Sequence, residues 1–160
     1  DWRLSIADVA QDGGFSAFTG YQRVITVLEG QGIELTVDGR AQAPLAPRQA
    51  YAFAGDAQVQ CRLLNGPIRD FNLIYAPARW HARLQWVAGA GPWAFHSAAS
   101  EVLVLTADGA LVVRINGAPH ALPSRYDCLH AASSGGLAEY RLEAEAPLDA
   151  CVIELLPRKV

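Results

Sequence analysis

Short runs of alternating apolar and polar residues, each cut off by glycine, proline or an Asn/Asp-Gly pair, recur from one end of this chain to the other. WRLSIADV (2–9), RVITVLEG (23–30), IELTV (33–37), AYAFAG (50–55), VQCRLL (59–64), RDFNLIY (69–75), EVLVLT (101–106), ALVVRING (110–117), LAEYRLEAE (137–145) and ACVIELL (150–156) are rich in β-branched and aromatic residues. A period of two in segments of this length is the pattern of strands, and almost no stretch sustains the 3.6-residue period of a helix. Between the runs, LEGQG, VDGR, LNGP, TADGA and INGA place glycine where a tight hairpin needs positive φ. Many short strands joined by such turns predict an all-β sandwich or barrel.

The chain also matches itself. VLEGQGIELTVDGRAQAPLAPRQAYAF from Val27 aligns with VLTADGALVVRINGAPHALPSRYDCLH from Val104. Leu28 meets Leu105 and Arg48 meets Arg125, each 77 residues on, while Gly39 meets Gly117 at 78. Both copies run strand, glycine turn, strand, Asn/Asp-Gly turn, proline-bearing loop with an arginine, strand. The shared order of turn types points to internal duplication. It predicts two small antiparallel β-barrels of jelly-roll type: a first barrel over 1–79, a connecting segment over 80–100 and a second barrel over 101–160.

Composition narrows the partners. With 51% apolar and 18% charged residues among 160, the chain has ample material for a core. A net charge of −3 offers no basic field for a nucleic-acid backbone, and no apolar run approaches the roughly 18 residues of a membrane helix. Neither nucleic acid nor membrane is therefore expected. Cys61, Cys128 and Cys151 are odd in number and lack metal spacing, which reads as buried thiols in a reducing compartment and hence a cytoplasmic protein. The chain begins at Asp1 and contains no methionine, so its true start is expected upstream.

The V-L-x-G turn, the Asp-Gly hairpin and the proline loop before an aromatic strand resemble the cupin signature, and the resemblance implies a bicupin. Cupins hold a transition metal with two histidines and a glutamate ahead of the hairpin and a further histidine after the proline. At the matching places this chain has Phe15, Ser16, Ala17, Phe18 and Thr19 for the paired histidines, Arg23 for the glutamate and Ala52 for the last histidine. In the second half His130 and Glu101 lie near ligand positions without companions. No metal and no other cofactor is expected.

A closer likeness is to the HutD/Ves family of metal-free bicupins. It rests on WRLSIADV (2–9), GGFSAFTGYQRVITVLEGQGIELTVDG (13–39), AFAGD (52–56) and NGPIRDFNLIY (65–75), which cover nearly all of the first half. The second half is similar only in its repeat architecture, and the Asn-Gly-Gly-rich segment that family members carry before the WR strand is not in this chain. The resemblance implies a link to bacterial histidine utilisation. It implies a protein that binds a small acidic intermediate such as formylglutamate and restrains expression without catalysing a step.

The residues themselves add a candidate site. Arg23 shares a strand face with Tyr21, Ile25 and Val27, which in the cupin register points into the barrel, where a buried guanidinium requires an anion or polar partners. Asp70 and Asn72 alternate with Phe71, and Arg3 and Ser5 alternate with Trp2 and Leu4. Alternation alone fits a polar face turned to water as well as one turned to a pocket. If the sets converge, Arg23 and Arg3 supply planar forks for a carboxylate and Asp70 orients one of them. Ser5 and Asn72 then read amide or formyl groups, and Phe53 with Tyr21 forms apolar walls. The leading expectation is a small-molecule binding protein, as a monomer or homodimer. A metal-independent isomerase or hydrolase acting on a small carboxylic acid, with Tyr21, Asp70 or His130 moving a proton, is the alternative, and a partner-binding exposed sheet is a third.

Overall fold

The computed structural model describes residues 1–158; residues 159 and 160, counted above in the second barrel, lie outside the described residues. The described residues form sixteen strands and no helix, so none is long and apolar enough to cross a membrane. The chain divides into two compact units, Asp1–Arg79 and Trp80–Val160.

The first unit contains β1 (Trp2–Val9), β2 (Gly13–Gly14), β3 (Gln22–Glu29), β4 (Ile33–Val37), β5 (Arg40–Ala41), β6 (Ala50–Ala54), β7 (Val59–Leu63) and β8 (Ile68–Tyr75). They form two antiparallel sheets, ordered β1-β8-β3-β6 and β2-β7-β4-β5. The second unit contains β9 (Trp80–Gly89), β10 (Trp93–Ser97), β11 (Glu101–Thr106), β12 (Leu111–Ile115), β13 (Ala118–Leu122), β14 (Cys128–Ala132), β15 (Ala138–Glu143) and β16 (Leu148–Pro157). Its sheets are ordered β9-β16-β11-β14 and β10-β15-β12-β13. Adding eight to every label of the first unit reproduces the second, so the two units share one topology.

The duplication extends to individual atoms. Asp38 and Asn116 open the Asp-Gly and Asn-Gly hairpins with φ of 48° and 49°, followed by Gly39 and Gly117 at 76° and 86°. Positive φ at both central residues is the turn whose twist suits adjoining strands. The Oδ1 of Asp38 accepts from the Gln58 amide and that of Asn116 from the Glu139 amide, both at 2.9 Å. In the proline loops, Arg48 Nη1 donates to the Leu28 carbonyl at 2.6 Å and Arg125 Nε to the Ala107 carbonyl at 2.9 Å. Each arginine thus clamps the end of the unit's central strand.

Two expectations need correction. The stretch 80–100 is not a connector: β9 and β10 within it pair with β16 and β15. The three tryptophans hid this, because the paired strands carry little resemblance to β1 and β2. Cys128 is exposed rather than buried, since β14 is an edge strand and turns it away from the core, whereas Cys61 and Cys151 are buried; none of the three forms a disulfide among the described residues.

In the first unit Ile25, Val27, Ile33, Leu35, Phe53, Val59, Cys61 and Ile68 form the core. The strand register decides what joins them. Arg23 lies opposite Phe53 and Ile74, Ile25 opposite Asn72, and Val27 opposite Asp70. On the other side of β8, Arg3 lies opposite Ile74, Ser5 opposite Asn72 and Ala7 opposite Asp70. Directly opposed residues share a sheet face, so Arg3, Ser5, Arg23, Asp70 and Asn72 all lie on the face that carries the core. The polar pairs face inward.

Gly55, just after β6, ties the segment before β3 in place. Its amide donates to the Tyr21 carbonyl at 2.7 Å, and its carbonyl accepts from the Phe18 amide at 2.6 Å. A Cβ there would lie 2.3 Å from the Phe18 carbonyl oxygen, whereas one at Gly13 would meet nothing within 4 Å. Gly55→Ala is expected to lose about 3 kcal/mol in urea unfolding, and Gly13→Ala less than about 1 kcal/mol.

Candidate functional site

Arg23 is 5% exposed and has no direct ion pair among the described residues. Its Nη2 donates to Asn72 Oδ1 at 2.7 Å and its Nη1 to the Ser16 carbonyl at 2.9 Å. Asn72 Nδ2 in turn donates to Asp70 Oδ1 at 3.0 Å, so acid and guanidinium are linked through an amide. The guanidinium carbon lies 5.2, 5.3 and 5.1 Å from the ring centroids of Phe15, Phe18 and Phe53. Three aromatic faces and two oxygens replace much of the water a cation loses on burial.

Burial is the main influence on both charged groups. It holds the Arg23 guanidinium below its ordinary range, with Arg3 acting in the same direction and Asp70 against. It raises the Asp70 carboxyl to about 6, although the Asn72 hydrogen bond, Arg23 and the Ala7 amide all favour its ionised form. An acid that is 2% exposed and titrates near neutrality is the most perturbed carboxyl in the unit.

These groups border a cavity of about 270 Å³ lined by Arg3, Ser5, Ser16, Arg23, Asp70 and Asn72, with Phe15, Phe18 and Ile74 as apolar wall. Of the five N–H groups of Arg23, Nε is walled off without a partner and one on each Nη is used, leaving one N–H on each Nη uncommitted. A second hollow of about 260 Å³ adjoins it, sharing Arg3, Phe18 and Ile74 and adding Trp2 and Tyr21. Arg3 lies between the two.

Five of the seven residues singled out in the sequence therefore line one cavity. Tyr21 lines the adjoining hollow instead, and Phe53 stacks on Arg23 without lining either. Arg23 is less free than a fork for a ligand requires, because Asn72 and Ser16 already hold it; Arg3 is the exposed guanidinium. Asp70 orients Arg23 only through Asn72. Phe15, Ser16 and Phe18 were noted as sites of missing histidines and not as members of the set. Their signal was an aromatic pair placed where the fold brings a segment over a buried cation.

In the second unit the corresponding strands turn Val102, Val104, Ala150 and Val152 into an apolar core, and the same face of β16 buries Glu154, paired with Arg83 of β9 at 3.3 Å. A hollow of about 540 Å³ is lined elsewhere in this unit, by residues 110–112 and 143–146; its charged groups are the acids Glu143 and Glu145, and Glu143 is held by Arg114 and Arg141 at 2.9 and 3.0 Å. His130 and Glu101, read above as lacking companions, are each other's partner at 2.5 Å. Leu129 and Ala131 pack on the core, so the alternating His130 faces away from the barrel interior. Among the described residues, no group of three histidine, cysteine, aspartate or glutamate side chains is placed to hold a metal ion.

A family model described as HutD matches residues 1–152. The chain belongs to the HutD family, which is related to histidine utilisation. It is 47% identical over 157 residues to an uncharacterised 21.2 kDa protein in the hutC 3′ region of Pseudomonas putida, covering 98% of this chain and 80% of that one. A conserved protein of unknown function from Pseudomonas aeruginosa PAO1 is 50% identical with a TM-score of 0.95, over 98% of this chain and 83% of the other. HutD from Pseudomonas fluorescens SBW25, solved in a formate condition, is also 50% identical, with a TM-score of 0.85 over 99% and 80%. Solved structures only 9–11% identical, salicylate 1,2-dioxygenase among them, share the bicupin fold alone.

The raised Asp70 carboxyl has a consequence for stability. A folded-state value of about 6 against an unfolded value near 3.8 means that the native state holds more protons between those limits. Stability contributed by the protonated form is complete below about pH 4 and is lost as pH rises through 6. Asp70→Asn is expected to raise stability at pH 8 by about 3 kcal/mol relative to its effect at pH 4, as measured by urea unfolding at the two pH values.

Proposed function

We propose that this protein binds a small carboxylate metabolite, of the formylglutamate type, in the cavity of its first unit. Through occupancy of that cavity it restrains expression of histidine-utilisation enzymes without catalysing a step. The observation that carries this reading is Arg3. It borders the cavity, is exposed, and has no hydrogen bond or ion pair to any described residue. Ser5 beside it is likewise without a side-chain hydrogen-bond partner among the described residues. A guanidinium with an unused fork at the mouth of a cavity, a second guanidinium with two free N–H groups inside it and a free hydroxyl between them suit a carboxylate. The aromatic wall accommodates a short carbon chain. Membership of the HutD family makes an acid of the histidine pathway the natural class. The protein acts in the cytoplasm as a monomer or homodimer, with no nucleic-acid or membrane partner and no cofactor.

A second reading rests on Asp70. A carboxyl that titrates near 6 beside a cavity has the proton affinity of a general acid or base. A metal-independent isomerase or hydrolase acting on the same acids would consume them, which NMR of mixed protein and metabolite detects over hours.

Calorimetry against formylglutamate, formate, urocanate, glutamate and histidine tests the binding reading. Formylglutamate is expected to bind, and Arg3→Ala to weaken binding at least about tenfold by removing a charge-assisted contact. The melting temperature of Arg3→Ala should stay unchanged, because Arg3 supports nothing else. Absence of binding by all five compounds, or full binding by Arg3→Ala, contradicts the reading.

A further inference from the structure

The charges around the first-unit cavity do not balance for an acidic ligand. Arg3 and Arg23 contribute two positive charges, and Asp70 one negative charge directed at the same space. Asp70 is 2% exposed and has no ion pair among the described residues; its hydrogen bonds come from the Asn72 side-chain amide and the Ala7 backbone amide. A ligand carboxylate entering between the arginines would meet an ionised carboxylate across a short distance from which its own body excludes water. Two like charges in such a place do not both persist.

The other titratable groups facing Asp70 cannot relieve the conflict. On β3 the facing group is Arg23, and on β1 it is Arg3; Asp8, on the opposite face of β1 across from Arg69, acts on Asp70 only through its charge. Asp8 is occupied by Arg69, whose Nε donates to it at 2.7 Å. On β7 the facing group is Cys61, which burial and the negative charges of Asp70 and Asp12 keep protonated, its thiol pushed up to about 11. Asp12, beyond β1, accepts the Leu63 amide at 2.8 Å. No histidine is present on these strands. The group able to change charge near neutrality is Asp70 itself.

We propose that the cavity takes up a dicarboxylate ligand together with one proton from solvent, which Asp70 holds and donates as a hydrogen bond to the bound carboxylate. The proton converts the site from one net positive charge to two, matching the two negative charges of a dicarboxylate. It also turns Asp70 from an acceptor that repels the ligand into a donor that recognises it. A titration point of about 6 in the empty protein places the change within reach of neutral pH. This inference rests on the reading of the cavity as an acid-binding site.

Calorimetry with formylglutamate at pH 7.5 in phosphate and in Tris, whose ionisation enthalpies differ, measures the protons exchanged. Uptake of about one proton is expected, with affinity falling by nearly tenfold per unit as pH rises from 7 to 8 and levelling off below 6. Asp70→Asn, close in shape and unable to ionise, should bind with no proton exchange and no pH dependence. Binding by the wild type without proton uptake, or the same uptake by Asp70→Asn, overturns the proposal and leaves the binding reading intact. Failure of formylglutamate to bind at any pH from 5 to 8 overturns both.

Discussion

A cation buried in a barrel core organises the first unit. Arg23 occupies a central strand where nearly every neighbour is apolar, and an unpaired charge there would cost several kcal/mol. The surrounding structure supplies partners one at a time: Asn72 from β8, the Ser16 carbonyl from the segment before β3, and rings from Phe15, Phe18 and Phe53. Those contacts draw the 15–21 segment over the barrel end, and Gly55 holds it there by two backbone hydrogen bonds. The arrangement leaves a second arginine, Arg3, without a partner among the described residues beside the hollow so formed. The buried, partnered cation and the exposed, unpartnered one are thus different residues.

Two barrels of one topology show how little of the frame is needed for a site. The hairpin caps at Asp38 and Asn116 and the arginine clamps at Arg48 and Arg125 recur in both units because they close strands that any such barrel must close. The polar strand faces recur only in altered form: in the second unit the face of Val102, Val104, Ala150 and Val152 also buries Glu154, which lies opposite Val102 and pairs with Arg83 of β9 at 3.3 Å. In the first, Arg23, Asp70 and Asn72 retain charge and hydrogen-bonding capacity. A buried polar network held partly through its own members, with Arg23 Nε left unpartnered, fixes geometry at some cost in stability, which the raised Asp70 carboxyl makes visible.

The strands and the duplication were legible because a period of two and an Asn/Asp-Gly turn are local properties of the chain. Arg23 stood out for the same reason, as a charge on an otherwise apolar strand. Whether Arg3, Ser5, Asp70 and Asn72 faced water or core was not local: alternation fits both, and only the pairing of Ser5 and Ile25 with Asn72 across two neighbouring strands decides it. The roles were less legible than the places. That Asn72 would be used by Arg23, and Phe53 stacked behind it, depends on distances that no spacing encodes. β9 and β10 were missed because the duplicated pattern is weakest there, with tryptophans in place of the family's motif.

The central claim is that the first-unit cavity, bounded by Arg3, Ser5, Arg23, Asp70 and Asn72, receives a small acid. A crystal structure of the protein grown with formylglutamate tests it most directly. The account predicts a carboxylate paired with the Arg3 guanidinium and within hydrogen-bond distance of Ser5, with the Arg23–Asn72–Asp70 chain unbroken. Formylglutamate bound only in the second unit, or a first-unit cavity that holds nothing but water at saturating ligand, would contradict it.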